Sequence, residues 1–334
     1  MRIVVFGAGA VGGHIAARLG AEGHAAGIEV AAVARGAQLE AIRRRGLTLH
    51  IGEQSYSAKV RATDNPAELG HQDVVIVTLK SSVLPEAAAE IGALVGPETT
   101  VIFAMNGIPF WYLYRAESAA PAPDLSRLDP GGGLARAVGL ERVVGCMINS
   151  ANEVIEPGVI RNSPGTKNKF TLGEPDGTIS TRLKTISGAL ERAGIPAPLS
   201  PAIRHEIWDK LVRNLSTSPI CAMTGEAIGV IGRHPELLSL SRNLMREGLA
   251  VAAAHGVALD LDFERAYGPR PMSTHKSSML QDFERNRPPE IDGILTAVQA
   301  FGRAAQVPTP HVDAVTALVV EKARRTGLYP KADW

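Results

Sequence analysis

Arg2-Ile-Val-Val-Phe6-Gly7-Ala-Gly9-Ala-Val-Gly12 is the stretch that decides the fold. Arg2 to Phe6 is a short, apolar, β-rich run, and three glycines follow it in the G-x-G-x-x-G pattern. Gly13 to Leu19 then reads as a helix with small residues on one face. Strand, tight turn and helix in that order are the context in which such glycines bind a dinucleotide. Gly7 permits the turn, Gly9 lets backbone approach a pyrophosphate, and Gly12 lets helix and strand pack closely. Ala8, Ala10 and Val11 complete the loop, whose amides and helix dipole favour the pyrophosphate charge. Without that context the same glycines would serve an ordinary strand-to-helix turn.

Composition sets the outer bounds. A chain of 334 residues is long for one core, so two domains are expected. Hydrophobic content of 45% with 21% charged residues fits a globular protein, and a net charge of +1 leaves no electrostatic footprint for nucleic acid. No apolar run is long enough for a membrane span. The first strand starts at once, leaving no room for a signal peptide. Cys146 and Cys221 lie far apart and suggest neither metal site nor disulfide. A cytoplasmic location, no metal, no membrane and no nucleic acid are the expectations.

Working outward from the loop, Ile28 to Ala34 is a second apolar run that ends in Arg35-Gly36. At this point of a Rossmann unit a carboxylate binds the ribose hydroxyls of NAD, whereas Arg accommodates the 2′-phosphate of NADP. No carboxylate follows before Glu40, so the reading is NADP(H), with a plain loop charge as the alternative for Arg35. Leu47 to Arg61 suggests a hairpin turning at Gly52. Asp73 to Leu79 and Thr100 to Met105 read as buried parallel strands ending in Lys80-Ser-Ser82 and Asn106-Gly-Ile-Pro109. Ligands bind beyond the carboxyl ends of such strands, which puts Lys80 and Asn106 on the rim of the glycine loop; a loop charge and a simple turn are the alternatives. Residues 117–137 form an irregular excursion, either a lid or a surface insertion. Short strands are expected at Val143–Ile148, Glu153–Ile155, Val159–Arg161 and Phe170–Gly173, with Pro157-Gly158 turning a hairpin, then a helix over Arg182–Ala193.

After Pro201 the pattern is nearly all helical. The expected division is a Rossmann-like NADP-binding domain over 1–199 and a helical substrate and catalytic domain over 200–334. Further helices are expected at 235–255, 262–268, 273–286, 291–306 and 311–326. Leu237, Leu238, Leu240, Leu244 and Leu249 give these helices apolar faces, leaving core and homodimer seam both open. In the first helix Ile203, Ile207, Leu211 and Leu215 make a core stripe. Lys210, Asn214 and Ser218, at i, i+4 and i+8, form a polar row of roughly 12 Å beside it. Lys can protonate a ketone that accepts hydride, and the amide and hydroxyl can orient a small polar substrate. Pro219 should bend or end this helix near Leu215. A second candidate stretch is His275-Lys-Ser-Ser278-Met-Leu-Gln-Asp282, followed by Arg287-Pro-Pro-Glu290-Ile-Asp292. Glu290 there also suits the first turn of a helix for dipole reasons alone.

These residues together resemble the ketopantoate reductase (2-dehydropantoate 2-reductase) family over nearly the whole chain. The resemblance is carried by Gly7 to Gly12, Thr78-Leu-Lys80, Asn106-Gly107, Trp208-Asp-Lys210-Leu-Val-Arg-Asn214, and Ser277 to Asp282 with Glu290-Ile-Asp292. It implies a Rossmann domain followed by a helical domain, an active site between them, and NADPH-dependent reduction of a small branched 2-keto acid in pantothenate biosynthesis. By the same resemblance Lys210 is the general acid, and Glu290 holds the substrate hydroxyl and borders the cofactor. Asn214 and Ser278 bind substrate, Asn106 lies between nicotinamide and substrate, and Arg35 and Lys80 favour the 2′-phosphate. The chain departs from the family at Ser218, where many members carry a second Asn. The Asn106–Tyr114 run and the 117–137 excursion are similar to a paralogous branch. Another small 2-oxo or 3-hydroxy acid, or an NADP(H)-binding sensor without chemistry, are the competing readings.

Overall fold

Ile3, Val4, Val5 and Phe6 are all buried, which makes β1 (Arg2–Phe6) a strand covered on both faces. Such strands occupy the interior of parallel sheets. In the computed structural model, which describes residues 1–163, 167–263 and 274–330, β1 lies between β2 (Glu29–Val33) and β6 (Val74–Val77), parallel to both. β5 (Arg61–Thr63) extends the sheet beyond β2. β7 (Thr100–Ala104), β8 (Val143–Asn149) and β11 (Lys169–Gly173) extend it beyond β6. Only β11 runs antiparallel, giving the order β11-β8-β7-β6-β1-β2-β5. The chain builds outward from β1 on one side, then returns to build on the other. That reversal opens a crevice beyond the carboxyl ends of β1 and β6, the ligand position in a doubly wound sheet.

α1 (Ala10–Glu22) follows the glycine loop and buries Ile15 and Leu19. Its small residues admit a second sheet. A Cβ on Gly13 would lie 2.6 Å from Ile160, and one on Gly20 would lie 2.6 Å from Ala58. This sheet has the order β4-β3-β10-β9, formed by β3 (Leu47–Ile51), β4 (Gln54–Ala58), β9 (Asn152–Glu156) and β10 (Val159–Asn162). Both of its hairpins match expectation. The parallel pairing of Thr48 with Val159, which joins them, is a long-range contact with no local signal.

The chain forms two compact units, 1–105 with 131–203 and 106–130 with 204–334. The first holds both sheets with α2 (Gly36–Arg45), α3 (Ala88–Gly92), α4 (Gly133–Val138) and α5 (Thr181–Arg192). The second is helical. It contains α6 (Ile203–Thr224), α7 (Ile228–Ile231), α8 (Pro235–Ala254) and α9 (Ser278–Glu284). A π-helical turn, Asp292–Thr296, then runs into α10 (Ala297–Ala304), and α11 (Pro310–Arg325) follows.

Two features depart from the sequence reading. Residues 106–130, assigned there to the first domain, cluster with the helical unit. Ile108 N–H donates to Gly293 O at 2.7 Å, and the Arg204 guanidinium donates to the carbonyls of Tyr112 and Tyr114. These bonds tie the segment to elements far along the chain. The second departure is that α6 does not end near Leu215: Pro219 lies inside it and the helix runs on to Thr224. Residues 215–222 are all buried, and this packing outweighs the lost ladder hydrogen bond. Most of the helix expected at 262–268 falls on 264–273, outside the described residues. No described helix is long and apolar enough to cross a membrane.

Candidate functional site

The glycine loop shows a distinct job for each glycine. Gly7 adopts φ +99°, a conformation that favours glycine, and its N–H donates to Val33 O at 3.0 Å. A Cβ on Gly12 would lie 2.2 Å from Gly7 O and 2.4 Å from Thr78 Oγ1, so this glycine serves close packing. A Cβ on Gly9 would meet nothing within 4 Å, which leaves open space that could receive a pyrophosphate. The amides of Ala10, Val11 and Gly12 start α1, where a helix offers donors without intrahelical acceptors. Thr78 Oγ1 donates to Gly7 O at 2.6 Å, and Gln38 Nε2 donates to Ala8 O at 2.6 Å, so the loop is held from two neighbouring elements. Gln38 carried no sequence signal, because its partners are backbone atoms distant in the chain.

Arg35 follows β2 and precedes α2, and its guanidinium donates to Glu90 Oε1 at 2.5 Å. Its side chain is 68% exposed, so the pair contributes under about 1 kcal/mol and yields readily to a more highly charged anion. Lys80 ends the extended segment after β6 and leads into a short 3-10 turn over Ser81–Val83.

In the helical unit, three of the residues singled out in the sequence come together. Lys210 Nζ donates to Asn106 Oδ1 at 2.7 Å, and Asn106 Nδ2 donates to Glu290 Oε2 at 2.9 Å. The ammonium only donates and the carboxylate only accepts, so the two ends fix which way the amide points. Glu290 is buried at 7% exposure, where a charged carboxylate needs such a partner. The segment that carries Asn106 is braced against α6. Trp208 Nε1 donates to Tyr112 Oη at 2.7 Å, and Phe301 meets both rings edge-on at 5.2 Å. Burial pushes the Tyr112 hydroxyl up to about 12, so it stays a neutral hydrogen-bonding group. Gly107, at φ +75°, approaches Gly293 so closely that a Cβ would lie 2.4 Å from its carbonyl oxygen. That approach locks the Asn106 turn to the π-helical turn after Glu290.

The remaining candidates are spread more widely. Asn214 is half-buried one turn along α6 from Lys210. Ser218 is buried at 3% exposure, and its carbonyl accepts from Ser277 Oγ at 3.5 Å. Ser278 is exposed at the first position of α9, while its neighbour Ser277 is buried and caps that helix by accepting from Leu280 N–H at 3.2 Å. The described residues contain no group of three or more metal-binding side chains.

Comparison with known proteins decides among the families this geometry could serve. The profile described as "Ketopantoate reductase PanE/ApbA" matches residues 3–123, and that of its C-terminal domain matches residues 202–323. The chain is 41% identical to the 2-dehydropantoate 2-reductase of Mesorhizobium japonicum, over 98% of its own length and 100% of that protein's. This chain belongs to the ketopantoate reductase family. A crystal structure of a candidate ketopantoate reductase from Ralstonia solanacearum superposes with a TM-score of 0.90 at 37% identity, covering 98% of this chain and 99% of that one. The 2-dehydropantoate 2-reductase of Methylococcus capsulatus gives 0.78 at 26% identity, covering 100% and 99%. A D-mandelate dehydrogenase solved with NADH shares the fold, at 0.81 and 21% identity over 98% and 100%. The ketopantoate reductase family is one of oxidoreductases on a pyridine-nucleotide-dependent reductase fold, and the doubly wound sheet with its helical partner unit is that fold.

Proposed function

We propose that this chain reduces 2-dehydropantoate to pantoate with NADPH, and that Lys210 is the general acid. The observation that carries this reading is the hydrogen-bonded line Lys210–Asn106–Glu290. When bound, the nicotinamide supplies hydride to the ketone carbon. Lys210 then delivers a proton to the ketone oxygen, so that no free alkoxide has to form in the site. Asn106 holds the ammonium in place through Oδ1 and occupies one oxygen of Glu290. Glu290, already desolvated, accepts from the substrate hydroxyl and fixes which face of the ketone is presented. Asn214 and Ser218 extend the polar row that orients the acid. The loop from Gly7 to Gly12 receives the pyrophosphate, and Arg35 and Lys80 supply positive charge for the 2′-phosphate. A cytoplasmic place in pantothenate biosynthesis follows from that reaction.

The test is a panel of 2-keto acids assayed with NADPH and with NADH. NADPH oxidation on adding 2-dehydropantoate is the expected result. Lys210→Ala should lower kcat at least about a hundredfold while NADPH still binds. A Lys210→Ala enzyme that turns over normally would remove the lysine from the mechanism. A second reading, reduction of another small 2-oxo acid, is favoured by Ser218, whose short buried hydroxyl leaves more room and fewer hydrogen bonds than an amide. Turnover of a different 2-keto acid with none of 2-dehydropantoate would select it.

A further inference from the structure

The adenosine end of the nucleotide site contains a carboxylate that the sequence reading did not weigh. Arg35 stands at the carboxyl end of β2, the point at which a Rossmann unit meets the adenosine ribose. Its guanidinium is not presented alone: Glu90, on α3 of the β6–β7 connection, takes it at 2.5 Å through Oε1. The other oxygen, Glu90 Oε2, is buried with no hydrogen-bond partner, and so is Ser81 Oγ in the same connection. Of the two positive charges that would select a 2′-phosphate, that of Arg35 is therefore offset by a negative charge in direct contact with it. An acceptor oxygen with unused capacity sits on that same carboxylate.

The two nicotinamide nucleotides differ only at the ribose 2′ position, a hydroxyl in NADH and a phosphate in NADPH. A carboxylate attracts the first, as an acceptor for the hydroxyl proton, and repels the second. The last torsion of a glutamate side chain is broad, so a ribose hydroxyl can turn the carboxylate towards itself without a rotamer change. We propose that Glu90 is a specificity-determining residue that weakens the NADPH preference conferred by Arg35, so that this chain binds NADH within about tenfold of NADPH. The proposal rests on the reading of Gly7 to Gly12 as a nucleotide loop and concerns only the 2′ position of its ligand.

The experiment measures dissociation constants for NADPH and NADH by nicotinamide fluorescence, on the full chain without substrate. Wild type, Glu90→Gln, Glu90→Ala and Arg35→Ala are compared, with thermal melts to show that each is folded. Removing the carboxylate should raise the preference for NADPH over NADH about tenfold in both Glu90 variants, chiefly through tighter NADPH. Arg35→Ala should move the preference the other way. A ratio that stays within about twofold of wild type in both Glu90 variants, or that falls, overturns the proposal and leaves the nucleotide site standing. If wild type binds neither nucleotide, the reading of the site fails and the proposal with it.

Discussion

Asn106 is the residue on which the proposed chemistry turns, because its one amide serves two charged neighbours. Each contact alone is an ordinary charge-assisted hydrogen bond. Together they fix the lysine ammonium and satisfy a carboxylate that is almost out of water. Asn106→Ala removes both functions, leaving Glu290 without this donor and Lys210 without this anchor. We expect kcat to fall about a hundredfold, with a loss of stability of about 1–3 kcal/mol from the carboxylate that has lost this donor. The sharper test is the double variant. If Asn106 acts by holding Lys210, then Asn106→Ala combined with Lys210→Ala should be little worse than Lys210→Ala alone, because residues that act as a unit are not additive. Losses that multiply in the double variant would show two independent roles.

The strand, loop and helix that open the chain allow a cleaner separation of folding from binding. Gly9→Ala adds a Cβ where nothing lies within 4 Å, on a backbone at φ −78° and ψ −147° that alanine adopts only with some strain. It should cost only about 1 kcal/mol of stability yet weaken NADPH at least about tenfold, since the methyl group occupies the proposed pyrophosphate cradle. Gly12→Ala places its Cβ 2.2 Å from Gly7 O and should destabilise the fold by about 1–3 kcal/mol. Urea denaturation and a nucleotide titration on both variants check this, and the opposite ordering of the two effects would contradict the assigned roles. The same loop shows what could be read from sequence. Its glycines, the apolar runs of β1, β6 and β7, and both hairpins of the second sheet are local patterns, and they were legible. Lys210 stood out through its row with Asn214 and Ser218 and Glu290 through the family resemblance, although nothing local shows that Asn106 joins them. Gln38 on Ala8, Glu90 on Arg35 and the parallel pairing of β3 with β10 were hidden, because each depends on partners brought together only by the fold. Pro219 misled for the opposite reason: its local rule is sound, but buried neighbours along α6 override it.

At the scale of the whole chain, one buried titratable group links the two sheets of the first unit to pH. His14 sits in α1 at 2% exposure, edge-on to Phe170 of β11 and bonded through Nδ1 to Asn152 Oδ1 of β9 at 2.8 Å. Asn152 Oδ1 also accepts from Asn162 Nδ2, so it is an acceptor and the ring nitrogen facing it carries the proton. Burial lowers the His14 pKa below its ordinary 6.5; the bond to Asn152 opposes this and the nearby Arg18 charge adds to it. Desolvation dominates, so the native state holds the ring neutral. As pH falls through 6.5, the unfolded chain takes up a proton that the native chain refuses, and stability drops until the native pKa is reached. Above 6.5 both states are neutral at this group and it exerts no pH dependence. Other carboxylates and histidines also respond to acid, so the informative quantity is a difference. His14→Gln keeps an amide donor for Asn152 but cannot titrate. The stability of wild type relative to His14→Gln, from urea denaturation between about pH 8 and about pH 5, should be flat at first and then decline below pH 6.5. A difference that stays constant across this range, or that grows in favour of wild type on acidification, would show that the buried ring is not held neutral against the proton.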